Sequence, residues 1–581
     1  MKERIEPIVL NSDESIRTAM EAMEQGKEVG APAGIIIITE TDSNVVKGVV
    51  TDGDLRRALV EGATIDTSVG NFMTEDPLCI PDSTGPTHML NYLYRELEER
   101  GKSENAYHHL VVVDDEYQVL DVVTPFELWK RSEVRINSAT VQGLGYVGLT
   151  LALTLADSGI VVHGVEKDEK KVQSLEKGQP HFFERGLEPL LNEHLGENFT
   201  VNKSISEVKS DIYITCVNTP TTGEGEFDST YLKDAVREVG KNLTVHDLVI
   251  IRSTVVVGTC RELVVPILEE ESGLTAGEDF FFAYAPERTV AGKALEELKT
   301  LPQVIGGINQ PSVEYASQIF QTFSKNVIPV SSIETAEMVK LLNNSYRDLI
   351  FSFSNETAKM CDYWGLNTHE VIQAANRGYD RNQIPKPSPG VGGPCLTKDP
   401  YLLAESGDKV GYNAELPTSS RTINETMIGH VVQRVDQFCR NRVNEGDPKI
   451  LILGMAYKGK PETSDIRNSP SVEIYKQLSE SYNSIKVFDP TVSDSKFNSL
   501  DADVATDLID GFTDTHYVLV LTNHPSFESI DINHMAKKMA NPSVLFDPWA
   551  LYNREEIESL SGVKYDRFSP AYPDNHMKKD N

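Results

Sequence analysis

One short stretch of the chain, Pro389–Pro400, brings together a thiol, an amine and a carboxylate. Cys395 follows a pair of glycines, and Lys398 and Asp399 follow it closely. Glycines let a backbone approach a ligand, and Pro394 stands where a helix would begin. A thiol at a helix N-terminus beside a lysine is expected to have a lowered pKa and to act as a nucleophile. Taken alone, the stretch fits a glycine-rich loop with a buried structural cysteine equally well.

A second polar pair lies on a segment that should form a long helix. From Glu334 to Leu349 the chain has no helix breaker, and its apolar residues recur at helical spacing. Lys340 and Asn344 therefore share one face, where they could jointly donate hydrogen bonds to a developing oxyanion. Taken alone, their spacing favours a solvated lysine beside a polar neighbour.

Ala139–Leu153 is predicted to be a strand, a Gly-x-Gly-x-x-Gly turn and an apolar helix. Such glycines allow a tight turn and the approach of a pyrophosphate to the helix N-terminus. The next strand ends in Glu166, which is placed to bind a ribose 2′-hydroxyl. Because its charge would repel a 2′-phosphate, NAD is favoured over NADP. The predicted cofactor contacts are Gly143, Gly145, Tyr146, Val147, Gly148 and Glu166.

The elements around this turn predict a doubly wound α/β sheet with parallel strands, because apolar runs continue at Ile212–Val217 and Leu248–Ile251. Polar groups come directly after three strands, in Cys216–Thr221, Arg252–Thr259 and Ala285–Thr289. In an open α/β sheet, ligands bind at this edge. A second α/β unit is predicted from Lys449 onwards, with apolar strands at Val487–Pro490, Tyr517–Leu521 and Val544–Asp547.

Composition limits the function classes. The 581 residues are enough for several domains, and a formal charge of −33 leaves no basic excess for binding nucleic acid. Six scattered cysteines lack metal-ligand spacing, which favours free thiols, a reducing compartment and no metal site. The N-terminus lacks the apolar segment of a signal peptide, and no apolar run reaches membrane-spanning length. We therefore expect a cytoplasmic protein that does not bind membranes.

Residues 1–132 form two loosely similar halves and resemble a pair of CBS domains. Gly48–Leu55 matches the strand-to-helix signature of that family, and Phe72–Pro77 matches the linker between its repeats. In the family, the Thr and Asp of the signature contact the phosphate and ribose of adenine nucleotides. This implies a nucleotide site with Thr51, Asp54 and, in the second half, Thr124, although Glu127 replaces the usual Asp there. A packing or dimerisation module without a ligand is an equal alternative.

From about Ser138 to about Leu551, the ordered motifs resemble the UDP-glucose/GDP-mannose dehydrogenase family, the NAD-dependent nucleotide-sugar 6-dehydrogenases. The resemblance implies an NAD-binding Rossmann domain over residues 135–330 and a UDP-sugar-binding domain over residues 446–570. Between them, residues 331–430 would form a central helical and dimerisation domain that carries the catalytic cysteine. The expected fold is α/β, with a CBS pair followed by two Rossmann-like doubly wound domains joined by helices. A homodimer or larger homo-oligomer is also implied.

The resemblance also assigns roles to individual residues. It implies a nucleophile at Cys395, a water-positioning carboxylate at Asp399, a water-activating carboxylate at Glu287, and further catalytic groups at Lys340, Asn344 and Thr219. It implies additional cofactor contacts from Thr254, Lys398 and Arg467, and substrate contacts from Arg347, Gly392 and Lys458.

The implied reaction is a four-electron oxidation of a sugar C6 alcohol to a carboxylate through a cysteine thiohemiacetal and thioester. One rival is a two-electron dehydrogenase of the hydroxyacid type, which the cysteine stretch and the third nucleotide-binding domain argue against. Another is a nucleotide-sensing regulator with an inactive dehydrogenase part, which the intact set of catalytic residues argues against.

The sugar is not identified by the motifs. Pro394 stands where Ser is usual in UDP-glucose enzymes and where His is frequent in the UDP-N-acetylhexosamine branch. Arg347 and the segment Asp399–Tyr401 are closer to the acetylhexosamine branch. The implied substrate is therefore a UDP-N-acetylhexosamine or UDP-glucose.

Overall fold

The computed structural model describes residues 2–40, 43–84, 109–123, 137–222, 225–443 and 447–568, together with positions 92, 96 and 100. The chain divides into two compact units, Met1–Arg135 and Ile136–Asn581. The predicted nucleotide contact Thr124 and its neighbour Glu127 lie outside the described residues.

The N-terminal unit contains two three-stranded sheets that share one strand pattern. In each, the first pair of strands is parallel and the second is antiparallel, with a register shift in the antiparallel pair. This repetition agrees with the two similar halves that the sequence indicates. The strands are β1 (Val9–Asn11), β2 (Ile35–Thr39), β3 (Val46–Thr51), β4 (Cys79–Pro81), β5 (Leu110–Val113) and β6 (Val119–Val123). The helices are Ile16–Glu28 and Asp52–Val60, with 3₁₀ turns at Glu3–Ile8, Val69–Asn71 and Asp82–Thr84.

An eight-stranded sheet opens the second unit. Its strands are β7 (Ser138–Gln142), β8 (Val161–Val165), β9 (Phe199–Asn202), β10 (Ile212–Thr215), β11 (Leu248–Ile251), β12 (Phe281–Tyr284), β13 (Gln303–Gly307) and β14 (Val327–Pro329). The order β9-β8-β7-β10-β11-β12 is the 3-2-1-4-5-6 order of a dinucleotide-binding fold, extended by β13 and β14. The strand pairs of this sheet are parallel, as predicted, except that β13 pairs antiparallel with β12. The chain after β12 turns back at the carboxyl edge, so β13 enters the sheet from that edge.

Helices cover this sheet. The first, Tyr146–Asp157, is buried from Gly148 to Ala156, as expected for a helix that is apolar on nearly every side. The others are Glu169–Leu175, Leu187–His194, Thr230–Asn242, Val265–Ser272, Ala294–Thr300 and Gln310–Gln321, with a 3₁₀ turn at Ile205–Glu207 and a π-helical turn at Cys260–Val264.

The middle of the unit is helical, as the sequence predicts. Its longest helix, Ile333–Trp364, has 32 residues; the Ser332 side chain caps its first turn and Gly365 ends it at φ 69°. It packs along the helix Glu415–Arg442. The remaining helices are Thr368–Asn376 and Asp399–Asp408.

A six-stranded parallel sheet completes the described chain. Its strands are β15 (Ile450–Leu453), β16 (Ile485–Phe488), β17 (Asp503–Val504), β18 (Tyr517–Val520), β19 (Ser543–Phe546) and β20 (Val563–Asp566). The order β17-β16-β15-β18-β19-β20 is again 3-2-1-4-5-6. Its helices are Pro470–Ser479, Asp494–Asn498, Leu508–Phe512, Pro525–Glu528, Ile532–Ala536 and Arg554–Glu558. Across the described residues, no helix is long and apolar enough to cross a membrane.

Candidate active site

The glycine-rich turn after β7 has the geometry that a dinucleotide needs. Gly143 has a φ of +90°, and a Cβ added there would lie 3.0 Å from the Cys216 carbonyl oxygen. A Cβ at Gly148 would lie 1.9 Å from the Gly143 carbonyl oxygen, so only glycine allows this close packing of turn and helix. A Cβ at Gly145 would meet nothing within 4 Å. The turn therefore leaves space beside Gly145 for a phosphate at the helix N-terminus.

Acidic and basic groups meet beyond the end of β8. Glu166 accepts a hydrogen bond from the N–H of Asp168 at 3.1 Å and lies 3.5 Å from the Lys171 ammonium. His181 lies nearby, and burial followed by the charge of Lys171 lowers the pKa of His181 to about 4. The charge of Arg467 also acts on His181. Arg467, which follows the first strand of the six-stranded sheet, and the predicted ribose contact Glu166 thus both act on His181.

Two strand-end segments are tied together at the carboxyl edge of the first sheet. The Thr219 hydroxyl donates to the carbonyl oxygen of Thr254 at 2.6 Å. Lys398, from the cysteine stretch, places its ammonium 3.5 Å from the Thr219 hydroxyl oxygen. The structure therefore brings Thr219, Thr254 and Lys398 to one place.

Glu287 forms a buried ion pair with Arg252, whose two guanidinium nitrogens lie 2.5 and 3.2 Å from one carboxylate oxygen. The other oxygen accepts the N–H groups of Arg288 and Thr289 at 2.7 and 2.6 Å. Burial opposes the charge of Glu287, but Arg252 and the Thr289 N–H outweigh burial and lower the pKa of Glu287. The Lys340 ammonium donates to the Glu287 carbonyl oxygen. Glu287 is therefore ionised and firmly held, and its basicity is reduced.

Asp399 is fully buried beside Asn344 and Lys398. The Asn344 side-chain amide donates to its Oδ2 at 2.5 Å. The Lys398 ammonium forms an ion pair with Oδ1 at 3.1 Å. Oδ1 has no hydrogen-bond donor among the described residues. A buried carboxylate oxygen with unused acceptor capacity suits a substrate hydroxyl or a water.

Cys395 differs from the other five cysteines of the chain, because it alone is exposed. Burial raises the pKa of Cys216 to about 12 and that of Cys439 to about 11, which makes these thiols poor nucleophiles. The prediction that a helix begins at Pro394 is wrong. Residues 394–398 form turns, and the helix begins at Asp399 with a different proline in its first turn. The Cys395 carbonyl oxygen accepts the N–H of Asp399 at 2.9 Å.

Asn468 and Tyr457, which sequence reasoning did not single out, hold the loop that carries the cysteine. The Asn468 carbonyl accepts the Gly393 N–H at 3.2 Å, and its side-chain amide donates to the Thr397 hydroxyl at 2.8 Å. A Cβ at Gly392 would lie 2.3 Å from the Asn468 carbonyl oxygen. Asn468 has a φ of +50°, a conformation that Asn tolerates better than most residues. Its position beside Arg467 is the sequence signal that could have found it.

Two basic side chains lie near Cys395, although the chain carries −33 overall. Lys458 and Arg467 lie close enough to Cys395 to interact with it electrostatically. The Lys458 ammonium donates to the Ala291 carbonyl at 2.7 Å. Burial and then the charge of Arg347 lower the pKa of Lys458 to about 8. Cations in this position favour an anionic ligand.

In the N-terminal unit, Thr51 and Asp54 bind each other. The Asp54 carboxylate accepts the Thr51 N–H at 2.8 Å and the Thr51 hydroxyl at 2.6 Å. Together they form a capping box at the start of the helix Asp52–Val60. The described residues contain no group of three or more His, Cys, Asp or Glu side chains that could hold a metal ion.

Comparison with known proteins identifies the parts of the chain. Residues 137–324, 334–426 and 451–554 match the NAD binding, central and UDP binding domains of the UDP-glucose/GDP-mannose dehydrogenase family. Residues 2–61 match the CBS domain.

Three relatives illustrate the similarity. UDP-N-acetyl-D-mannosamine dehydrogenase from Methanococcus vannielii is 33% identical over 423 residues, which cover 72% of this chain and 93% of that protein. NDP-N-acetyl-D-galactosaminuronic acid dehydrogenase from Ralstonia solanacearum is 29% identical over 419 residues, covering 70% of this chain and 95% of that protein. The solved UDP-D-ManNAc dehydrogenase from Pyrococcus horikoshii has a TM-score of 0.66 at 30% identity, covering 74% of this chain and 98% of that one.

Replacing Gly393 by alanine should displace the cysteine loop. Gly393 has a φ of +91°, and an added Cβ would lie 2.7 Å from the Tyr457 ring. We expect Gly393→Ala to lower the thermal midpoint and to change the rate at which Cys395 reacts with iodoacetamide. Gly429→Ala is the matched control, because an added Cβ there meets nothing within 4 Å and the site is helical. That change should stabilise the protein by about 0.5–1 kcal/mol. If both variants had the same thermal midpoint and the same rate of reaction with iodoacetamide, the close packing of Gly393 against Tyr457 would be contradicted.

Proposed function

The chain belongs to the UDP-glucose/GDP-mannose dehydrogenase family, and we propose that it oxidises the C6 alcohol of a UDP-N-acetylhexosamine to the carboxylate. The predictions of an NAD-dependent nucleotide-sugar dehydrogenase with an N-terminal CBS domain, and of its α/β fold, are confirmed. The finer proposal rests on one observation. The segment that carries the exposed Cys395 contacts Thr219 at the edge of the first Rossmann sheet through Lys398, and Asn344 on the long helix through Asp399, while Lys458 of the second Rossmann sheet interacts electrostatically with Cys395.

In the first oxidation, we propose that the C6 hydroxyl donates to the open Oδ1 of Asp399 or to a water held there. Lys340 and Asn344 then stabilise negative charge on the C6 oxygen. NAD+ bound at the glycine-rich turn supplies the hydride acceptor for both oxidations, and the space beside Gly145 suits its pyrophosphate. The first oxidation leaves an aldehyde.

Cys395 then adds to the aldehyde carbon. A C–S bond forms, the carbonyl oxygen takes a proton, and the product is a thiohemiacetal. Loss of a hydride and a proton from this adduct leaves a thioester. Water adds to the thioester carbon, the C–S bond breaks, and the cysteine leaves as a thiolate. The sum consumes one alcohol, two NAD+ and one water, and yields one carboxylate, two NADH and three protons.

Glu287 is our candidate for accepting the proton of that water. Arg252 keeps this carboxylate ionised, which is the form that can accept a proton, but it also reduces its basicity. We therefore expect hydrolysis of the thioester to be slower than either oxidation. Mass spectrometry of the enzyme during turnover tests this, since an acyl adduct on Cys395 should accumulate.

The acetylhexosamine part of the proposal rests on the relatives, whose names specify N-acetylated sugars. A panel of UDP-N-acetylmannosamine, UDP-N-acetylglucosamine, UDP-glucose and GDP-mannose, with NADH recorded for each, distinguishes the candidates. About two NADH per sugar consumed supports the four-electron reaction. One NADH per sugar would support a two-electron dehydrogenase instead.

Replacing Cys395 by serine should abolish formation of the acid, because a serine hydroxyl is a far weaker nucleophile than a thiolate. A slow first oxidation should survive and can be followed by trapping the aldehyde with a hydrazine. Cys361→Ser serves as the control, since Cys361 is buried away from these groups. Unchanged acid production by Cys395→Ser would rule out the covalent mechanism.

The lowered pKa of Lys458 predicts a pH-dependent affinity for the UDP-sugar. Below pH 8 the side chain is charged and attracts phosphate, and above its pKa of about 8 the free enzyme loses that charge. The KM for the UDP-sugar should therefore rise above pH 8, by at most about tenfold per pH unit. Lys458→Arg should flatten this dependence because arginine stays charged. The KM for NAD+ over the same pH range is the internal control.

We propose that the N-terminal unit binds an adenine nucleotide and regulates the enzyme. Thr51 and Asp54 support this through the family signature, although their mutual hydrogen bonds fit a helix cap equally well. In the full-length protein, ATP, ADP or AMP should raise the thermal midpoint, and Thr51→Val should remove that shift. Ser15→Ala is the control, because it removes the cap of another helix in the same unit, at a cost of about 1 kcal/mol. Absence of any shift and unchanged kinetics would refute the proposal.

We also propose that two copies of the chain pair through the long helix Ile333–Trp364. Large apolar residues recur along one exposed face of it, at Leu342, Tyr346, Phe353 and Met360. Such a stripe on a soluble protein marks an interaction surface. The molar mass in solution tests the proposal, and Phe353→Glu should halve it.

A further inference from the structure

Glu184 is a buried carboxylate that the proposed reaction does not use. It precedes the helix Leu187–His194 and is only 5% exposed. One carboxylate oxygen accepts the N–H of Gly292 at 2.7 Å and the hydroxyl of Tyr146, and the other accepts the N–H of Ala294 at 2.9 Å. A carboxylate that gathers three donors from two distant segments fixes those segments relative to each other.

The first of the two segments that Glu184 binds contains Tyr146 and lies at the proposed NAD+ site. Tyr146 is the first residue of the helix that follows the glycine-rich turn, so its backbone lies at the N-terminus that faces a pyrophosphate. Burial and the hydrogen bond to Glu184 raise the pKa of Tyr146, so its hydroxyl stays a neutral donor. The Phe182 ring packs against the Tyr146 ring, with the centroids 4.9 Å apart. The Tyr146 side chain therefore links the turn to Glu184.

The second segment that Glu184 binds contains Gly292 and Ala294 and contacts the UDP binding domain. Residues 288–294 follow Glu287, and the Ala291 carbonyl accepts the ammonium of Lys458 from the UDP binding domain at 2.7 Å. Gly292 has a φ of +92°, and a Cβ there would lie 2.7 Å from the Glu462 carbonyl oxygen and 2.9 Å from Pro461. The segment is thus pressed against the UDP binding domain on one side and held by Glu184 on the other.

We propose that Glu184 is a positioning residue that couples the affinities for NAD+ and for the UDP-sugar. A nucleotide at the glycine-rich turn fixes the position of Tyr146. Glu184 binds both Tyr146 and the segment that contains Gly292 and Ala294, so the position of that segment is fixed as well. The segment then presents the Ala291 carbonyl to Lys458. Coupling between two sites is reciprocal, so UDP should tighten NAD+ binding by the factor by which NAD+ tightens UDP binding. The identity of the two ligands rests on the proposed function, but the coupling itself needs no turnover.

Calorimetric titration of NAD+ with and without saturating UDP tests the coupling in the full-length protein. For the unaltered protein we expect UDP to lower the Kd for NAD+ by about fivefold or more. Glu184→Gln has the same size but presents an amide to backbone N–H groups, so it should bring that factor close to one. Glu188→Gln, an exposed neighbour on the adjoining helix, should keep the full factor. Tyr146→Phe removes only the hydroxyl and should weaken the coupling even if Glu184→Gln folds poorly.

A Kd for NAD+ that does not depend on UDP in the unaltered protein would overturn the inference, as would full coupling in both Glu184→Gln and Tyr146→Phe. The separate failure of every nucleotide sugar to yield NADH would refute the proposed reaction while leaving these binding results intact.

Discussion

The buried ion pair between Arg252 and Glu287 is the interaction on which the site depends. Arg252 is 2% exposed and Glu287 is 6% exposed, and each follows a different strand of the first sheet. Removing one partner of such a pair leaves a buried unpaired charge, which costs about 3–5 kcal/mol. The pair fixes the chain after β12, so the Glu287 carbonyl is held where the Lys340 ammonium meets it. The long helix is thereby anchored to the sheet edge, and Asn344, one turn further on, lies within reach of Asp399.

The same topology occurs twice in the second unit, and the two copies meet at their carboxyl edges. Ala291 follows β12 of the first sheet, Lys458 follows β15 of the second, and the two residues are hydrogen-bonded. Ligands of open α/β sheets bind at this edge. Two such edges facing one another can bring two nucleotides to a single thiol. The cysteine loop is held by Asn468 on one side and, through Lys398 and Asp399, by Thr219 and Asn344 on the other.

The basic groups near Cys395 oppose the overall negative charge of the chain. With −33 in total, an anionic nucleotide sugar is repelled at long range. Lys458 and Arg467 place basic groups near Cys395, with Arg347 acting on Lys458 and Arg467 paired with Asp465. Burial of Lys458 makes its charge costly in the free protein, and a bound phosphate would compensate that cost. Under the proposed function, Lys458 is a binding group whose protonation responds to its ligand.

The sequence by itself determined the features that depend on short-range geometry. The glycine-rich turn, the long helix and the strand-end motifs each follow from residue types within a few positions, because local backbone conformation and hydrogen bonding decide them. Where two patterns competed, a local signal was wrong at the cysteine stretch and left two alternatives open at Thr51. Two prolines flank the cysteine, and the later one starts the helix. The Thr51–Asp54 pair serves a helix cap as well as it would serve a nucleotide.

Only the tertiary structure decided which distant residues contact each other. Asn344 and Asp399 are 55 residues apart, Lys340 and Glu287 are 53 apart, and Glu184 and Gly292 are 108 apart. No spacing rule links such pairs, because their contact depends on how helices and sheet edges pack. Spacing did not single out Glu184 for this reason, since two of its three partners are backbone N–H groups that any residue except proline could supply. Cys395 is the converse case, because its residue type suggested a nucleophile and packing left it exposed among cations.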